Sequence, residues 1–569
     1  MNPRKRWIFT PQDPKLIQQL SLDLKLSPLL IQILLNRGLS TAEDIQNYLN
    51  PELSKLADPF LMKDMAKAVQ HIEDALEQKL KITVYGDYDV DGTTGATLLY
   101  LLLKDLGANV DVYIPHRVQE GYGLNFKALE NLRDQKTDLV ITVDNGISSV
   151  EEAKRAQELG LKLIIIDHHQ VPPQIPMAMA VLNPKQSDCQ YPYKELSGVG
   201  VAFQLAIALR AHLRKKSFFA FRTEPNLKKF LALVALGTIA DVVPLTGQNR
   251  ILVKAGLEVL SRSEEPGIVA LKEVSQVKGK VSPVHVGYRL GPRLNAVGRL
   301  ESAKLGFDLL VCQDRDEAQK LAQALDAANR ERQQIEEQIL EEAILKVQKE
   351  LLPQKRKAIL VFEPHWHIGV VGIVASRLAE KFCLPALVGC IEGDTVRCSA
   401  RSIASLNLFE ALGACKDQLL KFGGHHHAAG LTFKVQQATA LQDNLDLFIN
   451  EKLGEEDFIP RLKMDAKLQL SDIDEALMEQ LSLLEPFGAG NPEPLFQLDE
   501  ACVSSAQILQ EKHLKILLKD GLRLVESIGF GMFQAYADLP QKISLAFQAQ
   551  WNEWNGSRRI QLKLGDFPR

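Results

Sequence analysis

The chain has 569 residues, 46% of them hydrophobic and 24% charged, with a formal net charge of −4. That length calls for several cores, about three to four domains, and the balance excludes disorder and a fibrous class while leaving the partner open. The seven cysteines include no C-x-x-C pair, which excludes a disulfide framework and fits a reducing, cytoplasmic compartment.

At the N-terminus Arg4, Lys5 and Arg6 precede only a short apolar run, Trp7-Ile8-Phe9, so no secretory signal is expected. Residues 1–75 look helical and carry no chemical constellation. From about residue 81 to 183 short β-rich runs, at 82–85, 110–114, 139–143 and 163–166, alternate with helix-forming segments at 94–106, 125–135 and 149–159. This alternation predicts βαβ units and a parallel sheet, with Gly107 and Gly160 as helix C-caps. The longest apolar run, 230–245, is interrupted by Asp241 and is too short for a membrane span. Residues 314–352 contain neither Gly nor Pro and predict one extended helix, ended by Pro353. A second, smaller α/β unit follows, with strands at 358–362 and 385–388 around a helix at 369–382. Past Pro460 the segments 514–518, 522–528, 544–551 and 558–564, with Gly and Asn-Gly turns, predict a small β-barrel. The fold expected is therefore α/β in five parts: a helical region at 1–75, a parallel-sheet domain at 76–313, a connecting helix at 314–353, the smaller α/β domain at 354–455, and the barrel at 456–569.

Chemistry collects at the strand ends. Gly86-Asp87-Tyr88-Asp89-Val90-Asp91-Gly92 puts three carboxylates at alternate positions where open α/β sheets bind ligands. The later strands run into Asp144-Asn145-Gly146 and Asp167-His168-His169, and Asp241 breaks an apolar helical run. A single Asp after a strand is most often a helix N-cap, and Asp91 is a candidate for that role. Three successive strand ends carrying acids are another matter: crowded carboxylates repel, each is costly to desolvate, and a divalent cation neutralises them. Mixed Asp and His ligands suit a pair of Mn2+ or Mg2+ ions clamping the oxygens of a phosphoryl displacement.

In order along the chain, these motifs resemble those of the DHH phosphoesterases in their RecJ branch. The resemblance runs through Gly237-Thr238-Ile239-Ala240-Asp241-Val242-Val243-Pro244-Leu245 and Arg293-Leu294-Asn295-Ala296-Val297-Gly298-Arg299-Leu300. In the second unit it takes in Gly369-Val370-Val371-Gly372-Ile373-Val374-Ala375-Ser376-Arg377-Leu378, Ser399-Ala400-Arg401-Ser402 and Gly423-Gly424-His425-His426-His427-Ala428-Ala429-Gly430. These look like a DHH-associated domain, and Pro486-Phe487-Gly488-Ala489-Gly490-Asn491-Pro492 resembles the entrance to a RecJ oligonucleotide-binding domain.

The resemblance implies a single-stranded-DNA-specific 5′ to 3′ exonuclease releasing nucleoside 5′-monophosphates by two-metal hydrolysis, in DNA repair and recombination. It implies Mn2+ or Mg2+ as cofactor, and a single-strand-binding protein and a helicase as partners. Asp89 and Asp91 would be ligands of the two metals, Asp144 the bridging carboxylate, His168 and Asp241 ligands of the second ion, with Asp87 and His169 in support. Tyr85 stands where many DHH enzymes have a metal-ligating histidine, so Asp87 or water is expected to complete the first ligand set.

For substrate, Arg293 and Arg299 flank Asn295 among two glycines, Gly291 and Gly298, an arrangement suited to gripping an anion. Ser399, Arg401 and His425 are the candidate phosphate contacts of the second unit, the three histidines otherwise serving a third metal or a turn. Arg117 is either a terminal-phosphate contact or an exposed surface arginine. In the barrel, Lys512, Lys515, Lys519, Arg523, Arg558, Arg559 and Lys563, with Phe547, Trp551 and Trp554, are expected to grip the strand, unless the aromatics fill the core. Two other readings compete: a DHH enzyme for short oligoribonucleotides or cyclic dinucleotides, which would not need the barrel, and a binding scaffold that has lost its acids, which the five retained ligands disfavour.

Overall fold

Four short β-rich runs, each ending in a polar loop, organise the five-stranded parallel sheet of the protein. The structure, a computed structural model, describes residues 5–116, 120–300, 303–521, 523–536, 539–554 and 557–567, without the side chains of residues 300, 554 and 557. The chain divides into two compact units: residues 46–332 with 485–492, and residues 1–45 with 333–484 and 493–569. The expected helical N-terminus opens instead on a strand, β1 (Arg6–Phe9), which belongs to the second unit.

In the first unit β2 (Lys81–Gly86), β3 (Asn109–Tyr113), β4 (Leu139–Val143), β5 (Lys162–Ile166) and β6 (Ala180–Leu182) form a parallel sheet in the order β3-β2-β4-β5-β6. β6, only three residues long, was not foreseen. The chain passes first to one side of β2 and then to the other, so the order reverses between β2 and β4, which opens a crevice at their C-terminal ends. On one face the helices Val90–Asp105, Gly198–Lys215 and Leu231–Ala240 bury a continuous apolar core against the sheet. On the other, Phe126–Asp134 and Val150–Glu158 cover Val140, Leu163 and Ile165. Gly107 and Gly160 hold the left-handed backbone (φ +83° and +74°) that ends the helices before them.

The Arg315–Lys346 helix starts in the first unit and ends in the second, closing with a π-helical turn, Val347–Leu351. In the second unit β7 (Ile359–Glu363), β8 (Ala386–Glu392), β9 (Thr395–Arg401), β10 (Leu419–Gly424) and β11 (Ala428–Lys434) form a sheet ordered β10-β11-β9-β8-β7. Only β7 and β8 are parallel; the remaining pairs are antiparallel, so the smaller α/β domain carries a mixed sheet. The Ile368–Phe382 helix packs on one face of it. β12 (Arg461–Met464) pairs with β1 in parallel, and β13 (Ala466–Lys467) with the next strand.

The last strands are β14 (Phe496–Leu509), β15 (His513–Asp520), β16 (Arg523–Gly529), β17 (Lys542–Trp554) and β18 (Ser557–Asp566), joined as β14-β15-β16-β18-β17 with β17 returning to β14. This is a closed five-stranded barrel of the oligonucleotide-binding type. All seven cysteines are free, and among the described residues no helix is long and apolar enough to cross a membrane.

Candidate active site

Three acids stand at the same level of the parallel sheet, because each follows a strand and still bonds to its neighbour. The N–H of Asp87 donates to Val143 O (3.2 Å), that of Asp144 to Ile166 O (2.9 Å) and that of Asp167 to Leu182 O (3.0 Å). Asp144 has φ +64°, a left-handed conformation that Asp tolerates.

The loop after β2 turns directly into a helix. Asp89 is its N-cap, accepting from Asp91 N (2.9 Å) and Gly92 N (3.0 Å). Asp91, for which a cap was the alternative to a metal ligand, sits in the first turn. Its carboxylate accepts from Gly198 N (2.6 Å) and Val199 N (2.9 Å), the first N–H groups of another helix. Such groups point outward with a positive partial charge and favour an anion. Asp241 arrives as the C-cap of the Leu231–Ala240 helix.

His168 Nε2 lies 3.1 Å from Asp144 Oδ1, 3.4 Å from Asp241 Oδ2 and 3.8 Å from Asp91 Oδ2. Three groups have ligand atoms within 4.8 Å of one another: Asp87 with Asp89 and Asp144, Asp91 with His168 and Asp241, and Asp144 with His168 and His169. Glycines make this crowding possible. A Cβ at Gly92 would sit 2.5 Å from Asp87 N, one at Gly198 2.7 Å from Asp144 Cβ, and one at Gly237 2.8 Å from Asp91 Oδ1.

Burial, then repulsion from Asp89, pushes Asp91 up to about 7. Burial, then Asp91 and Asp89, pushes Asp241 up to about 9, and burial with the surrounding acids lifts Asp144 well above the ordinary range. His168 moves the other way, to about 3, because burial penalises the imidazolium. Its neutral Nε2 and the oxygens Asp144 Oδ1 and Asp241 Oδ2 are buried and make no hydrogen bond. Ligand atoms thus face one another unsatisfied, and a divalent cation taking the place of the protons on the raised carboxyls is the group that fits between them.

His169 is held differently. Its Nδ1 is 2.7 Å from Asp167 Oδ1, while the same carboxylate accepts the N–H of His168, His169 and Ile147. Burial opposes the charge on both partners, but their hydrogen bond and mutual attraction prevail, lowering Asp167 and raising His169. Tyr122, unassigned from sequence although it lies in Gly121-Tyr122-Gly123, donates its hydroxyl to Asp144 O (2.9 Å) and stands 3.1 Å from His169 Nδ1. Tyr85 is buried in the opposite core, its hydroxyl donating to Gly123 O (3.0 Å) and its ring stacked on Tyr113.

The Arg293–Arg299 segment, expected to grip an anion, is helical. The helix spans Gly291–Leu300, and Gly298 makes room for the carbonyl of Tyr88, which a Cβ would approach to 2.9 Å. Arg293 is nearly buried, with its guanidinium on Asp326 (2.8 Å), Arg289 O and Val274 O. Asn295 Oδ1 accepts the N–H of Val90 (3.1 Å), fixing the acid loop. Arg299 is half-buried next to Gly298. Arg117 lies outside the described residues.

In the second unit, Ser399 and Arg401 lie on β9 beside Gly372, where a Cβ would come 3.4 Å from each. Gly372 belongs to the second turn of the Ile368–Phe382 helix, which His367 caps through Gly369 N (3.1 Å). His425 is exposed in the turn between β10 and β11, its N–H bonded to Ala428 O. In the barrel Phe547 fills the core, as the competing reading had it. Trp551 lies under the Arg558 guanidinium (3.9 Å) in a hollow lined also by Glu475 and Glu479. Lys515 pairs with Glu526 (2.7 Å), and Arg523 holds the carbonyls of Ser471 and Ile473. The Trp554 side chain is not among those described.

Residues 81–238 match the DHH family, N-terminal domain, and residues 355–451 the DHHA1 domain. Together with the buried acid and imidazole cluster, this defines a DHH phosphoesterase, a metal-dependent hydrolase of phosphodiesters. Residues 464–566 match the RecJ OB domain. The single-stranded-DNA-specific exonuclease RecJ of Bacillus subtilis (strain 168) is 39% identical over 570 residues, spanning 99% of this chain and 71% of that protein. RecJ from Thermus thermophilus in complex with Mn2+ superposes with a TM-score of 0.84 at 32% identity, covering 99% of this chain and 79% of that one. Its complex with Mg2+ gives 0.78 at 31% identity, with coverage of 99% and 78%. The chain belongs to the RecJ family of exonucleases and is a nuclease.

Proposed function

We propose that this chain degrades single-stranded DNA from the 5′ end, releasing nucleoside 5′-monophosphates with two divalent ions, Mn2+ or Mg2+, in DNA repair and recombination. The observation that carries the two-ion reading is that Asp144 belongs to two ligand groups, one with Asp87 and Asp89 and one with the histidines. Asp87, Asp89 and Asp144 would hold one ion, and Asp91, Asp144, His168 and Asp241 the other. Bound there, the ions neutralise the acids and lower the pKa of a water for attack at phosphorus.

The chain's own residues do the remaining work. The N–H groups of Gly198 and Val199 fix the Asp91 carboxylate, and Asn295 fixes the loop that carries Asp89. Nδ1–H of His169 donates to Asp167, so the proton its ring gains or gives up is the one at Nε2, available to the leaving oxygen. Ser399, Arg401 and His425 are the proposed phosphate contacts of the second unit, and Arg299 that of the first. The barrel is the proposed grip on the longer strand, with Lys512, Lys519, Arg559 and Lys563 as its phosphate contacts. A single-strand-binding protein and a helicase are the proposed partners.

End-labelled single strands, incubated with Mn2+, test this reading. The expected result is labelled mononucleotide at once from 5′-labelled DNA and only late from 3′-labelled DNA, with loss of at least about a thousandfold on Asp144→Ala. Early mononucleotide release from the 3′ end would overturn the polarity. Near-parental activity of the Asp144 variant would overturn the two-ion site.

A further inference from the structure

The helix that supports the acid loop extends backward to a feature the mechanism above does not use. Gly298 meets the carbonyl of Tyr88, and at the other end of the helix Gly291 lies against Ala240, where an added Cβ would be 3.5 Å from the alanine Cβ. Just before Gly291, residues Val286–Leu290 form a π-helical turn, closed by Gly291 N–H on Val286 O. Such a turn inserts an extra residue into a helix at the expense of regular bonding, and is found frequently at functional sites. Along it Val286 and Leu290 are fully buried, while Tyr288 between them is 80% exposed, and Val284 before it is 64% exposed.

A second anomaly lies across the same contact. Val242 has φ +61°, a left-handed backbone that a β-branched residue strongly disfavours. Its side chain is 70% exposed, so no core packing offsets the strain. A glycine there would relieve the backbone, and strain of this kind gathers where a side chain has a task. Val242 is two residues beyond Ala240 and next to Asp241, and Tyr288 is one helical turn before Gly291. Both therefore lie within about 7 Å of chain from the Ala240–Gly291 contact.

We propose that Tyr288, on the turn packed against the end of the helix that carries Asp241, forms a stacking platform for a nucleobase of the strand held at the acid cluster. The inference rests on the reading of single-stranded DNA as substrate. Unpaired bases present apolar π faces close to the phosphate being cleaved, and an exposed aromatic at that edge accepts any of the four. Tyr288 is thus a positioning residue: it registers the nucleotide, and the acids do the chemistry.

The experiment compares the parent enzyme, Tyr288→Ala and Tyr288→Phe on intact oligonucleotides and on a series carrying one abasic residue at successive positions from the attacked end. Expected is a rise in KM of about tenfold or more for Tyr288→Ala, kcat changing less, with near-parental behaviour of Tyr288→Phe and unaltered Mn2+ affinity and melting. At one abasic position the parent should fall to the level of Tyr288→Ala, and the substitution should cost nothing further. Parental KM for Tyr288→Ala on intact DNA overturns the platform, as does an equal loss at every abasic position. Failure of the parent enzyme to digest intact single strands would instead overturn the substrate reading, and the platform with it.

Discussion

Stripping the metal from the protein and titrating Mn2+ back at several pH values tests the acid cluster without relying on activity. With Asp91 at about 7, Asp241 at about 9 and Asp144 well raised, the metal-free site holds protons that exposed aspartates, titrating near 4, have already lost. Metal can enter only as those protons leave. At pH 6 Asp91 and Asp241 are largely protonated, so binding should release about two protons, and log K should rise by about two per pH unit. By pH 8 Asp91 is ionised and the slope should fall. His168, already neutral, contributes nothing.

The same shifts fix the stability of the metal-free protein. A folded pKa above the unfolded one means that proton binding favours the fold. That contribution is complete below about pH 4 and is lost as pH rises through about 7 to 9. For Asp91 alone, about three units correspond to about 4 kcal/mol, so the metal-free protein should melt lower at pH 8 than at pH 6. Saturating Mn2+ should restore more at pH 8. Calorimetry at pH 6 in buffers of different ionisation enthalpy counts the protons directly. Release of none, with an affinity indifferent to pH, would refute the claim that these carboxyls are the ligands.

Other substitutions separate structural from chemical roles. Arg293→Ala should lower stability by about 1.5 kcal/mol, because it removes one of the two arginines on the buried Asp326 and leaves Arg330 as the other, while KM for DNA stays near the parent value; thermal melting and steady-state kinetics check both. Gly198→Ala should cost at least about a hundredfold in activity, with weakened Mn2+ binding, since its Cβ would land 2.7 Å from Asp144 Cβ. Parental Mn2+ affinity in that variant would contradict the packing described. Deleting the barrel, residues 493–569, should weaken binding of long oligonucleotides and flatten its salt dependence by about 0.7 for each phosphate that the barrel neutralises; an unchanged salt slope would give the barrel some other task.

Sequence made the acids legible because their pattern is local: each lies one step past a run of buried residues, and nothing in folding asks for charge there. Their partners come from afar. The N–H donors to Asp91 are at Gly198 and Val199, the loop is fixed by Asn295, and the hydroxyl on Asp144 belongs to Tyr122. No spacing along the chain announces which helix end will face which strand end. The partner of Arg293 is equally remote, since Asp326 comes to it from another helix. Local regularity also set the limits on strands. β14 escaped notice because bulges at 498/501 and 503/505, with Glu500 at φ +49°, break its alternation. β1 is an ordinary tetrapeptide until it pairs with residues 461–464.

How the cluster is held also bears on what completes it. Among the described residues, the ion pairs of Asp91, Asp144 and Asp241 are with His168 and His169 alone, with no lysine or arginine among them. His168 is neutral, and His169 is committed to Asp167. The acids are restrained instead by backbone N–H groups and by glycines whose missing Cβ atoms leave them room. Backbone restraint fixes geometry without cancelling charge. An arginine in the cluster would have stabilised the empty site and competed with metal, whereas a helix N-terminus carries only about half a charge. The fold therefore keeps the carboxylates in register and leaves their neutralisation to protons or to a divalent ion from solution.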